Sequence, residues 1–162
     1  MGFDHFARPV DPLALAAREG RLRRNFQGFT DDAAPYVLGL GASAISALPD
    51  RLLQNEKNTG RWHLAVEAGR LSVERGSYRS PDDQVRGLII EQILTGGPAD
   101  LTPLLDRACY RASLLDFERR GLLAWEGPRI VLSDEARPYA RAIAARIDAY
   151  REQSTGRFSN AI

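Results

Sequence analysis

Ser80-Pro-Asp-Asp-Gln-Val-Arg-Gly-Leu-Ile-Ile-Glu-Gln-Ile-Leu-Thr-Gly-Gly-Pro98 decides how the rest of the chain is read. Ser80, Pro81 and Asp83 form a helix start, in which a hydroxyl and a carboxylate three residues apart satisfy free backbone N–H groups. Val85, Leu88, Ile89 and Ile93 then recur at helical spacing, and Gly96, Gly97 and Pro98 terminate the run. Toward the C-terminus, Thr102 is expected to cap a short helix starting at Pro103. A third helix is expected over about 110–120, with Leu114, Leu115 and Phe117 inward and Gly121 closing it. Residues 122–125 and 129–132 read as short strands joined by Glu126-Gly127-Pro128, a hairpin signal. Ser133 caps a last helix whose apolar stripe is Tyr139, Ala140, Ile143, Ile147 and Tyr150. Pro138, about one turn inside, predicts a kink or a later start. Three helices, a hairpin and a further helix make a winged-helix-like C-terminal half, residues 80–162.

Outward in the other direction the texture changes. Residues 1–79 are irregular, with short elements broken by glycine and proline. Residues 2–7 alternate and read as a strand. Asp11 caps a short helix with Pro12 at its first position, and Gly20 ends it. Residues 22–29 and 36–46 read as extended or strand-like. A helix over 59–68 puts Trp62, Ala65 and Val66 on one side until Gly69 stops it, and 71–78 is a further strand. The expected fold class is α+β, mainly helical, with an irregular N-terminal half of short strands before the winged-helix-like half.

The totals narrow the function classes. With 162 residues, 44% of them hydrophobic, the chain suits one compact domain or a small domain with an extension. Net charge is +1 with no block of like charge, so bulk electrostatics point to neither nucleic acid nor an anionic membrane. The helix over 110–120 carries Arg111, Arg119 and Arg120 but also Asp116 and Glu118, a poor track for phosphates. No apolar run approaches the ~20 residues needed to span a bilayer. The first residues lack the basic and apolar regions of a signal peptide. A cytoplasmic protein is expected. Cys109, the one cysteine, excludes an intrachain disulfide and any site built from several thiolates, and reads most simply as a small core residue between two helices.

General chemistry supplies no self-sufficient active site. Gly39-Leu-Gly-Ala-Ser-Ala44 has a G-x-G-x-x-A spelling, but Pro49 and Asp50 interrupt the long helix that a dinucleotide site requires. Its glycines are read as permitting close approach by another backbone or a flat ligand. His5 and His63, the only histidines, read as packed or surface residues. Asp4 beside His5 makes no dyad, because adjacent strand residues face opposite ways. No catalytic or metal-binding residue is assigned.

Three internal runs and the ending carry a family resemblance. They are Met1-Gly-Phe-Asp-His-Phe-Ala-Arg-Pro9, Arg18-Glu-Gly-Arg-Leu-Arg-Arg-Asn-Phe-Gln-Gly-Phe29, Leu38-Gly-Leu-Gly-Ala-Ser-Ala-Ile-Ser46 and Phe158-Ser-Asn-Ala-Ile162. In collinear order they resemble the C-terminal part of the radical S-adenosylmethionine (oxygen-independent) coproporphyrinogen III oxidases. Asn-Phe-Gln-Gly, residues 25–28, resembles the true oxidases rather than their haem-chaperone relatives. The resemblance implies an N-terminal (β/α) barrel that holds a 4Fe-4S cluster and lies outside this sequence, present in cis or in trans. It implies that the whole enzyme oxidatively decarboxylates coproporphyrinogen III to protoporphyrinogen IX in haem biosynthesis. It further implies a second S-adenosylmethionine at the junction between domains, touched here by Phe26, Gln27 and Ile45. Residues 1–79 would then be a cofactor-junction segment. Met1 falls where the family has an internal residue, so the chain is expected to begin inside or just after the last barrel strand and to be inactive alone. Cys109 cannot replace three thiolate ligands.

One assignment comes from substrate chemistry. Coproporphyrinogen bears four carboxylates, and arginine grips a carboxylate bidentately, so Arg8, Arg23 and Arg24 beside the motif residues are substrate-binding candidates. Loss of neighbours around 2–7 and 36–46 predicts self-association, or a loosely ordered first half beside a stable second half. Two rival readings are a stand-alone winged-helix module binding DNA or a protein partner, and a haem or porphyrin carrier with His5 and His63 as its only imidazoles.

Overall fold

The computed structural model describes residues 5–104 and 107–151. Residues 2–4 of the expected first strand and the whole 158–162 ending lie outside the described residues. Residues 5–8 are irregular rather than a strand.

The chain forms two compact units. One comprises the described residues up to Asp31 together with those from Arg86 onward, and the other is Asp32–Val85. This grouping differs from the change in sequence texture near residue 80, because the first helix and hairpin pack with the C-terminal half.

In the first unit, α1 (Pro12–Arg18) starts as its sequence dictates. Asp11 Oδ1 accepts a hydrogen bond from the Leu13 amide at 2.9 Å, and Pro12 occupies the first turn. The extended stretch at 22–29 is a tight antiparallel hairpin, β1 (Arg23–Asn25) and β2 (Gly28–Thr30). Helix α3 (Pro81–Thr95) crosses the division between the units and buries Ile89, Ile93 and Leu94. Leu88, expected inward, is 56% exposed, since it lies about 100° round the helix from Ile89.

After Gly96, two elements depart from expectation. Residues Ala99–Asp100 form a short strand, β6, which pairs with β8 (Arg129–Leu132). No helix starts at Pro103: residues 101–104 are turn and irregular, with Asp100 Oδ1 accepting from the Thr102 amide at 2.8 Å. Helix α4 (Arg107–Arg119) starts earlier than expected, so Cys109 lies on it and is exposed rather than in the core. Leu114 and Phe117 are buried as expected, whereas Leu115 turns outward. The hairpin of β7 (Leu123–Glu126) and β8 is as expected, with Gly127 at φ +61° before the fixed ring of Pro128. The sheet order is β6-β8-β7.

Pro138 delays the last helix. Asp134–Tyr139 is a 3-10 turn, and regular α-helix begins only with α5 (Ala140–Ala144). Ile143 and Ile147 are buried completely, but Tyr150, placed on the same stripe, is 60% exposed.

The second unit is an antiparallel sheet in the order β3-β4-β5. Its strands are β3 (Ile45–Leu48), β4 (Arg51–Asn55) and β5 (Val73–Tyr78), with α2 (Thr59–Glu67) between the last two. Much of the expected 36–46 strand is loop, bridged to the sheet from Val37 to Ala47. Pro49 and Asp50, which break the dinucleotide pattern, form the turn into β4. The core lies entirely in the first unit: among the described residues of the second, no side chain is fully buried.

Candidate functional site

The Asn-Phe-Gln-Gly motif folds into the tip of the first hairpin. Asn25 and Gly28 pair across it, leaving Phe26 and Gln27 as the two turn residues. Asn25 shapes the turn locally, its Oδ1 accepting from the Gln27 amide at 2.8 Å and the Gly28 amide at 3.2 Å. Gly28 has φ +146°, where a side chain would be strained. The turn is therefore organised by its own residues, and it holds Phe26 (42% exposed) and Gln27 outward. The exposed ring offers apolar area, and the Gln27 amide beside it both a donor and an acceptor.

The base of the same hairpin is tied to α3. Arg23 Nε donates to Glu91 Oε1 at 2.8 Å, and the Arg24 amide donates to the same oxygen at 2.9 Å. The hydrogen bond to Glu91, reinforced by its charge, raises the pKa of the Arg23 guanidinium further. Arg23 is thus engaged within the protein, and the Arg24 guanidinium lies 5.8 Å from the Phe29 ring centroid. Arg8 is exposed in the irregular segment before α1.

Ile45, the third cofactor candidate, belongs to the second unit, where it opens β3 opposite Gln54. The glycine-rich run before it is a folded loop. A Cβ on Gly39 would sit 2.7 Å from the carbonyl carbon of Ile45, so the expected close approach is by backbone. Asn55 clasps the loop, its Nδ2 donating to the Gly39 and Gly41 carbonyls at 3.1 and 2.9 Å. Phe26, Gln27, Arg23 and Arg24 are thus brought together on one hairpin, with Arg8 in the same unit and Ile45 in the other.

Glu91 and Asn55 escaped the sequence reading, as did the turn that Asn25 makes within its motif. That turn had a local signal, because an Asn side chain commonly accepts from the amide two residues on. Glu91, 68 positions from Arg23, had none. His63 pairs with Glu67 one turn away, at 3.1 Å, and His5 stacks edge-on against Phe29. Among the described residues no group of three His, Cys, Asp or Glu side chains is placed to hold a metal. With one cysteine, the chain's residues do not fit a 4Fe-4S cluster. No helix among them is long and apolar enough to cross a membrane.

No family model matches the chain. Curated proteins do. The oxygen-independent coproporphyrinogen III oxidase of Bradyrhizobium diazoefficiens is 37% identical across 100% of this chain, which covers 38% of that protein. The corresponding protein of Cereibacter sphaeroides is 40% identical over 93% of this chain and 35% of its own length. Among solved structures, coproporphyrinogen III oxidase from Escherichia coli, a radical SAM enzyme, superposes with a TM-score of 0.81 at 34% identity. That superposition covers 92% of this chain and 36% of the enzyme. The chain thus spans little more than a third of the relatives it matches. In sequence and in fold it matches the C-terminal region of oxygen-independent coproporphyrinogen III oxidase.

Proposed function

We propose that this chain works as the C-terminal portion of an oxygen-independent coproporphyrinogen III oxidase, contributing to the oxidative decarboxylation of coproporphyrinogen III to protoporphyrinogen IX. The observation that carries the reading is the match along the whole chain at 37% identity to about a third of such an enzyme. The 4Fe-4S cluster and the radical chemistry belong to the N-terminal barrel, joined in cis or acting in trans in the cytoplasm. This chain's own work is to position and to bind. Phe26 and Gln27, held outward on the hairpin tip, supply an apolar wall and an amide to a second S-adenosylmethionine. That cofactor, when bound, supplies a sulfonium methionine and an adenosine.

For the substrate carboxylates, Arg8, exposed before α1, is better placed than Arg23, whose guanidinium Glu91 already holds. The order α3, β6, α4, β7, β8, with sheet order β6-β8-β7, suits a winged helix. The geometry does not favour DNA binding by it. The Arg111 and Arg120 guanidinium groups stack 4.9 and 4.8 Å from the Trp125 and Tyr139 ring centroids and are committed to the fold. The unsealed second unit, with Leu38, Leu40, Leu64 and Leu71 all more than half exposed, supports a role beside a covering partner.

The test is reconstitution. The N-terminal barrel of the Bradyrhizobium enzyme, joined to this chain, should form protoporphyrinogen anaerobically with S-adenosylmethionine and a reductant. In that chimera Gln27→Ala and Phe26→Ala should each lower turnover at least ~10-fold while leaving the cluster's absorbance intact. A folded, cluster-loaded chimera without activity would refute the reading.

A further inference from the structure

The first unit holds a cavity apart from the hairpin tip, of about 360 Å³. Ala14, Ala17 and Leu132, all part-exposed, supply an apolar lining, and Arg18, Ser133 and Arg137 also border it. We infer that this cavity binds a small amphiphilic carboxylate, its apolar body against Ala14, Ala17 and Leu132 and its anionic head between Arg18 and Arg137.

Charge is the first argument. Two guanidinium groups and one carboxylate, Asp134, border the cavity, a surplus of one positive charge. Arg137 donates to Asp134 at 2.8 Å, whereas Arg18 donates to the uncharged Pro9 carbonyl. Each tether fixes one edge of a planar fork and leaves other donors for a ligand. The second argument is Ser133. Its Oγ is sealed from solvent with no hydrogen-bond partner among the described residues, although it stands where a serine commonly caps a helix. A buried hydroxyl without a partner is costly, and no bond holds its rotamer. An anionic oxygen within its reach would supply the missing acceptor. The third argument is size, since small-molecule sites begin at roughly 300 Å³. Arginines and apolar side chains bordering one cavity select a charged head on a hydrocarbon body over either part alone.

The experiment is a titration of the ¹⁵N-labelled full chain with octanoate, followed by amide spectra, with octanol and octylamine as controls. Octanoate should give saturable shifts at Ala17, Gly96 and Ser133, and octylamine none. Arg18→Gln and Arg137→Gln should each raise the dissociation constant about tenfold, with the remaining spectrum unchanged. Ala14→Leu, which narrows the cavity without touching either charge, should also weaken binding. The inference is overturned if octanol shifts the same amides as strongly as octanoate. Shifts concentrated in residues 32–85, or an unchanged constant in Arg18→Gln, would overturn it equally.

Discussion

Single residues set the two motif loops. At Gly39 the constraint is contact: Ile45 backbone atoms lie 2.7–2.8 Å from where a Cβ would be, and backbone cannot swing aside as a side chain can. Gly39→Ala should therefore destabilise the second unit by about 1–3 kcal/mol, seen as faster amide exchange across β3 and β4. Asn55→Ala should act on the same strands by leaving two carbonyls without their donor. Glu91 sets the hairpin in another way. Its carboxylate accepts from the Arg23 side chain and the Arg24 amide, so Glu91→Ala should cost about 1–3 kcal/mol. In urea denaturation the midpoint should fall with little change in slope. The motif residues themselves were legible because Asn25 and Gly28 build their turn from neighbours. The partner of Arg23 was not, because a carboxylate on a distant helix leaves no mark beside the arginine.

At the scale of elements, caps and turns carry most of the local information. The Ser80 and Asp83 side chains bond each other's amides at the start of α3, as the spacing predicted. Ser80→Ala should lower stability by about 1 kcal/mol, measurable by thermal unfolding. The turn between β3 and β4 supplies a pH prediction. The hydrogen bond from Arg51 holds the Asp50 carboxyl below its ordinary range. A depressed carboxyl stabilises the fold above the unfolded value of ~3.9, and that contribution is lost as pH falls through the lower folded value. A ¹³C titration of Asp50 should show a midpoint below ~3.9 that returns to the ordinary range in Arg51→Gln. Where elements were misread, a pairing partner was responsible. Ala99–Asp100 is too short to announce itself and is a strand only because β8 lies beside it. Proline after threonine looked like a helix start at Pro103, yet Asp100 takes the Thr102 amide and makes a turn there.

Across the whole molecule, stability should be uneven. Ile93, Leu101, Leu114, Ile130, Ile143 and Ile147 are sealed in the first unit, each contributing about 1.5–3 kcal/mol of apolar burial. The second unit has no equivalent among its described residues, and every residue of β5 is exposed. Hydrogen exchange should therefore protect α3, α4 and β8 far more than β3–β5. Light scattering should report self-association of the isolated chain, relieved when a barrel partner covers the exposed leucines. The sequence alone determined the starts of α1, α2 and α3, the glycine stops, the β7–β8 hairpin and the delay imposed by Pro138, because caps, φ preferences and ring constraints act within a turn or two of the chain. Only the tertiary structure decided that Leu88 and Tyr150 face water, that α1 joins the C-terminal half, that β6 exists, and that Glu91 holds Arg23. Each of these depends on residues far apart in the chain, and a contact of that kind follows from how whole surfaces fit together rather than from any preference its residues carry.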